Sequence, residues 1–209
     1  MAITLKPHQI DAVKLMHNGC ILTGDVGSGK TIASLTYYYT AVCGGRPKLP
    51  GMEYKKMTTP RDLYVITTAR KRDELDWEQE AAYFGLSRDG NESGVKIHVD
   101  GWNNITKYIS IKDAFFIFDE QRLVGNGSWV KSFLKIVDNN EWIMLSATPG
   151  DNWMDYIAVF IANGFYKNRT EFIDRHVEWV PYLNFPKVKG FKGHSHLNGL
   201  RDRLLVPMP

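Results

Sequence analysis

Gly24-Asp25-Val26-Gly27-Ser28-Gly29-Lys30-Thr31 follows the apolar run Cys20-Ile21-Leu22 and opens onto a stretch of helical character from Thr31 to about Val42. Glycines at Gly24, Gly27 and Gly29 let a backbone fold closely around a polyphosphate. Successive N–H groups, including that of Ser28, and the start of the following helix then point at its oxygens. Lys30 is placed to reach the β- and γ-phosphates, and Thr31 a Mg²⁺ ion. A glycine-rich turn with no ligand would not require Lys and Thr directly after its last glycine. The stretch therefore predicts strand, phosphate loop and helix in that order, with nucleotide and Mg²⁺ as ligands.

Further apolar runs separated by helical patterns repeat this alternation. Strands are expected at Leu63 to Thr67, Val95 to Val99, Ala114 to Phe118 and Trp142 to Ser146. Helices are expected from Pro7 to His17, Lys71 to Phe84, Trp129 to Val137 and Asp155 to Phe165. Within the first of these, Ile10, Val13, Leu15 and Met16 read as the apolar positions. Gly44 to Gly51 reads as an irregular connection. Such alternation predicts an α/β fold of three layers, with a mainly parallel central sheet flanked by helices and ligands bound beyond the carboxyl ends of the strands.

Two acids, Asp119 and Glu120, close the continuously apolar run Ala114 to Phe118, and Ser146-Ala147-Thr148-Pro149 closes the next one. Both sets fall at the same predicted sheet edge as the loop. Asp119 suits a Mg²⁺ site, and Glu120 is placed to orient or deprotonate an attacking water. The predicted catalytic set is thus Lys30, Asp119 and Glu120. Metal binding falls to Thr31 and Asp119.

The 209 residues are 44% hydrophobic, enough for one sizeable core with a small appendage. Cys20 and Cys43 form no C-x-x-C pair, so neither a disulfide nor a zinc site is expected. No run reaches the ~18 to 20 apolar residues of a membrane span, and Met1 to Lys6 lacks signal-peptide character, so a soluble, cytoplasmic protein is expected. Net charge is only +3. Its distribution is uneven: residues 164–209 hold eight Lys/Arg against four acids, leaving 18 against 19 elsewhere. That basic segment also carries Phe165, Tyr166, Phe172, Trp179, Tyr182, Phe185 and Phe191, which suit either packing onto the main domain or a phosphate backbone with stacked bases. His194 and His196 read as solvated rather than metal-bound.

The order of these motifs, with the tetrad Asp119-Glu120-Gln121-Arg122, resembles the first RecA-like lobe of superfamily 2 helicases and translocases. The flanks resemble its Swi/Snf-like branch. Leu5-Lys6-Pro7-His8-Gln9 is similar to the signature preceding the loop there, which implies that Gln9 reads the adenine edge. Thr67-Thr68-Ala69-Arg70 matches the segment that grips a strand's phosphates, and Trp77-Glu78-Gln79-Glu80 resembles the branch's tryptophan-and-acid helix.

The resemblance implies ATP and Mg²⁺ as cofactors and nucleic acid as partner, DNA rather than RNA. Contacts are expected from Thr68, Arg70, Lys71, Trp102 and Asn103. From the residues alone, Arg70 to Arg72 equally suit a solvated helix start, and Trp102 equally suits packing. Arg122, Ser146 and Thr148 would couple the site to the track, although Arg122 stands where many relatives carry His.

Residues 1–163 then form the lobe and 164–209 an extension. The latter resembles the linker between lobes in compact phage-encoded members, which implies a second lobe outside this chain. The expected activity is nucleic-acid-dependent ATP hydrolysis, weak in an isolated lobe. The alternative is a non-hydrolysing nucleic-acid-binding or inhibitory module.

Overall fold

Phe115–Asp119 (β4) is buried at every position, as a continuously apolar strand in the middle of a sheet must be. The structure, a computed structural model, describes residues 4–120, 123, 125–150, 152–181 and 186–209. Leu63–Thr67 (β2) and Glu141–Ser146 (β5) flank β4, with Ile97–Gly101 (β3) outside β2. On the other side Ile21–Thr23 (β1) pairs with β5, and Leu205–Pro207 (β8) pairs with β1. The order is β3-β2-β4-β5-β1-β8, and every pairing is parallel.

Alternate side chains of β4 feed two layers of core. Phe115 and Ile117 join Leu22, Leu35 and Trp77 on one face, while Phe116 and Phe118 join Trp102, Phe133 and Trp142 on the other. Helices Pro7–Leu15 (α1), Lys30–Tyr37 (α2), Ala69–Asp73 (α3) and Asp76–Ala82 (α4) follow in sequence. Of these, α1, α2 and α4 cover the first face. Ser128–Val137 (α5), Ile157–Ala162 (α6), Arg169–His176 (α7) and His194–Leu204 (α8) cover the second. Each fully buried Leu or Phe contributes roughly 1.5–3 kcal/mol, so the two clusters on either side of one sheet supply the main favourable term.

Several boundaries differ from the expected ones for identifiable reasons. The helix expected over Lys71 to Phe84 is divided at Leu75, whose φ of 58° is left-handed. Helix α4 must turn Trp77 and Ala81 into the core, whereas α3 buries nothing, and one straight axis cannot serve both. In α1 the buried residues are Gln9 and Ala12, while Ile10 and Leu15 are 40% and 61% exposed. The helix expected from Thr31 ends as a π-helical turn over Tyr38–Val42. Strand β3 begins two residues later than expected because Val95 is held in a loop closed by Asn91. The Asp155 to Phe165 helix begins as a 3₁₀ turn, Trp153–Tyr156, capped by Asn152.

In the basic segment, Tyr166 and Phe172 are buried and Phe165 and Phe191 pack on the second cluster. Trp179 stands 45% exposed on an antiparallel ribbon of Val177–Val180 (β6) and Lys187–Phe191 (β7). Tyr182 and Phe185 lie outside the described residues. Cys20 and Cys43 are free and buried. No helix among the described residues is long and apolar enough to cross a membrane.

Candidate active site

The parallel register carries Thr23, Asp119 and Ser146 to one sheet edge, since Thr23 pairs with Ser146 and Asp119 with Leu145. The loop leaves β1 there and enters α2 through Gly29. Gly27 and Gly29 have φ of 83° and 88°, a region that glycine reaches without strain. A Cβ at Gly29 would collide with Nε2 of Gln9, and one at Gly24 with the carbonyl oxygen of Met208. Close approach as well as φ therefore requires glycine at Gly29. Gln9 is buried, accepts from Lys6 N at 2.8 Å and donates to Gly29 O at 3.4 Å, so α1 braces the loop.

Lys30 donates from Nζ to the carbonyls of Gly24 and Asp25 at 2.6 and 2.8 Å. Burial lowers its pKa, Asp119 opposes that effect, and Lys71 adds to it. Its partners thus belong to the loop itself.

Asp119 is 1% exposed, and its Oδ2 accepts from Thr67 Oγ1 at 2.9 Å, Trp77 Nε1 at 3.0 Å and Lys71 Nζ at 3.1 Å. A buried carboxylate needs such donors. Glu120 has φ of 59°, and its N–H donates to Leu145 O at 3.1 Å. Left-handed backbone at a non-glycine residue costs about 1–3 kcal/mol and tends to mark functional sites. Lys71 also lies 2.6 Å from Glu120 Oε1. Burial works against the Lys71 ammonium, but the two acids more than offset it and raise its pKa.

These groups line a half-open cleft of about 620 Å³ that also takes in Thr31, Trp77, Glu80 and Tyr83. Its size suits a nucleotide. Among the described residues no cluster of three or more His, Cys, Asp or Glu side chains could hold a metal. A Mg²⁺ held through one carboxylate, a hydroxyl and phosphates does not need such a cluster. The buried Asp119 carboxylate with an ammonium against it, beside the glycine cradle and Thr31, fits a metal-bound nucleotide. Thr31, Asp119 and the loop would hold it.

The remaining expected site residues divide. Lys71 faces the cleft acids rather than the sheet rim. Arg70 is 83% exposed and paired with Glu74, and Thr68 caps α3 by accepting from Lys71 N. Asn103 is exposed in the 3₁₀ helix Trp102–Tyr108 that follows β3, the strand next to β2 in the sheet. Arg72, 3.6 Å from Asp100, ties these two segments together. Trp102 is 4% exposed, donates to Asp119 O at 3.0 Å and packs on Phe118 and Trp129. It supports the acid strand from behind, and its ring is covered.

Ser146 Oγ accepts from Thr148 N at 3.1 Å, so these two residues form a local turn. Gln121 and Arg122 lie outside the described residues. His194 accepts from Trp153 Nε1, and His196 stacks on His176. The sequence reading did not single out Glu80 as a cleft residue or Thr67 as a buried donor to Asp119. The signal available for Glu80 was its place one turn after Trp77, which puts both on the face turned to the sheet edge.

The fold is that of a RecA-like helicase domain. The helicase domain of Pyrococcus furiosus Hef superposes with a TM-score of 0.52 over 84% of this chain and 40% of that one, at 18% identity. Protein CHROMATIN REMODELING 25 of Arabidopsis thaliana is 37% identical over 104 residues, which is 44% of this chain and 11% of the relative. DNA repair and recombination protein RAD54 of Oryza sativa subsp. japonica is 35% identical over 71 residues, 28% of this chain and 7% of the relative. The chain thus spans about a tenth of the length of these curated relatives. No protein-family profile matches it.

Proposed function

We propose that this chain is the ATP-binding lobe of a nucleic-acid-dependent ATPase of the superfamily 2 helicase and translocase type. The carrying observation is that Gly27, Gly29, Lys30 and Thr31 of the loop, buried Asp119 and strained Glu120 line one cleft at the carboxyl edge of a parallel sheet. Likeness to a helicase domain and to two remodelling and repair proteins supports the class. Both curated relatives' names concern chromatin or DNA repair, which supports DNA as the track.

In this reading the loop N–H groups and Lys30 receive the phosphates, with Thr31 and Asp119 holding the metal. Bound Mg²⁺ supplies charge neutralisation of the phosphoryl oxygens. Glu120 sits where it can orient a water, and its fixed backbone limits its freedom. Thr67 and Trp77 hold Asp119 in one orientation. Thr68, Arg70 and Asn103 share the rim at β2 and β3, where they would meet a phosphate backbone. Ser146 and Thr148, with Arg122, would link the two functions.

A partner lobe supplying an arginine belongs to this reading, and lacking one costs about 10³ to 10⁵ in rate. Binding is therefore the direct test. A fluorescent ATP analogue with Mg²⁺ should bind the chain, and Lys30→Ala should weaken it at least tenfold. Equal binding by the two proteins would reject the site.

A further inference from the structure

Among the described residues, the cation seated between Asp119 and Glu120 is Lys71, not the loop lysine. Its Nζ lies 3.1 Å from Asp119 Oδ2 and 2.6 Å from Glu120 Oε1, and its side chain is 26% exposed. Lys30 meanwhile is engaged by Gly24 and Asp25. One turn beyond Trp77, Glu80 lines the same cleft, and its Oε2 is buried with no hydrogen-bond partner among the described residues. A buried carboxylate oxygen without a donor is costly and marks a place for a cation. Burial raises the pKa of Glu80, and the positive charge of Lys71 acts against that rise. It is also carried on a five-residue helix that buries nothing and ends beside left-handed Leu75. Helix α3 can therefore re-aim Lys71 without disturbing the core.

We propose that Lys71 is an internal counter-ion: it holds the Asp119 and Glu120 acid pair until a divalent cation arrives with nucleotide, and then transfers to Glu80. Two negative side chains facing each other in a cleft repel, so a resident ammonium stabilises the empty site. A divalent ion brings more charge to the same oxygens and displaces it. Glu80 then receives a group that would otherwise remain near a second cation. Lys71 and Glu80 act as positioning residues that set the metal concentration the site requires. This inference rests on the proposed nucleotide reading.

The test is the Mg²⁺ concentration that half-saturates binding of a fluorescent ADP analogue to the full chain. Lys71→Met should lower it roughly tenfold, the scale of one charge-assisted hydrogen bond. Lys71→Arg keeps the charge and adds a fork that fits carboxylates, so it should raise the value. Glu80→Gln should raise it severalfold with Lys71 present and leave it unchanged in the Lys71→Met background. An unchanged or raised value for Lys71→Met, a lowered one for Lys71→Arg, or the same Glu80→Gln effect in both backgrounds overturns the exchange. Absence of analogue binding by the wild-type chain at any Mg²⁺ concentration rejects the nucleotide reading itself.

Discussion

Trp77 Nε1 donates to Asp119 Oδ2 at 3.0 Å, joining the buried face of helix α4 to the acid at the end of β4. The indole thus serves the core and the cleft together. Trp77→Phe retains most of the apolar bulk but removes a donor to a buried carboxylate. A loss of about 1.5–3 kcal/mol is expected, the scale of a hydrogen bond to a charged group. Urea unfolding reads the stability change, and analogue binding should weaken in parallel. Unchanged stability would mean that Asp119 finds another donor.

Gly29 and Gly27 share a positive φ but differ in their surroundings. A Cβ at Gly29 meets Gln9, whereas one at Gly27 meets nothing within 4 Å among the described residues. Gly27→Ala should therefore incur only the conformational cost of left-handed backbone, ~1–2 kcal/mol. Gly29→Ala should cost more and displace Gln9 as well. Thermal unfolding of the two variants, with Gln9→Ala combined with Gly29→Ala as a partial rescue, checks the order.

Strand β8 lies against β1 just before the loop, and Met208 N donates to Thr23 O at 2.7 Å. Val206 and Met208 are about 2% and 1% exposed. Ending the chain at Leu204 removes both side chains, each worth roughly 1.5–3 kcal/mol, and leaves β1 as an unpaired edge. Amide exchange should rise first at Ile21 to Thr23. Exchange spread evenly over the sheet would instead indicate loss of global stability alone.

Asp100 at the end of β3 accepts from Gly101 N, Asn104 Nδ2 and Tyr108 OH at 2.7–2.8 Å. Burial would raise its pKa, but these bonds, with Lys107 nearby, hold it below the ordinary carboxylate range. A depressed folded pKa stabilises the fold above the unfolded value, about 4, and that contribution is lost as pH falls through the folded value. The stability difference between wild type and Asp100→Asn should be full at pH 6 and shrink below about pH 4. A difference independent of pH would assign the effect to geometry alone.

Much of this architecture was legible in the residues. The continuously apolar stretch ending in Asp119 could only be a strand covered on both faces, and the glycine, lysine and threonine spacing of the loop fixes a strand before it and a helix after it. The break at Leu75 was not legible. Helical periodicity runs through it, and only the competing demand that Trp77 face the sheet while α3 stays outside divides the helix. Trp102 illustrates the same limit. An exposed stacking ring and a core ring behind β4 have one sequence signature, and its bond to Asp119 O settles the position only in three dimensions. Lys71 shares this limit: in the residues alone its ammonium suits solvent as well as the cleft, and its approach to Asp119 and Glu120 exists only in three dimensions.

Hydrolysis that depends on Glu120 is the central claim. The measurement is the ATPase rate of the chain with and without double-stranded DNA, beside Glu120→Gln at equal concentration. A slow wild-type rate that Glu120→Gln abolishes is the predicted result, with DNA raising the wild-type rate alone. A rate carried equally by Glu120→Gln would contradict the assignment.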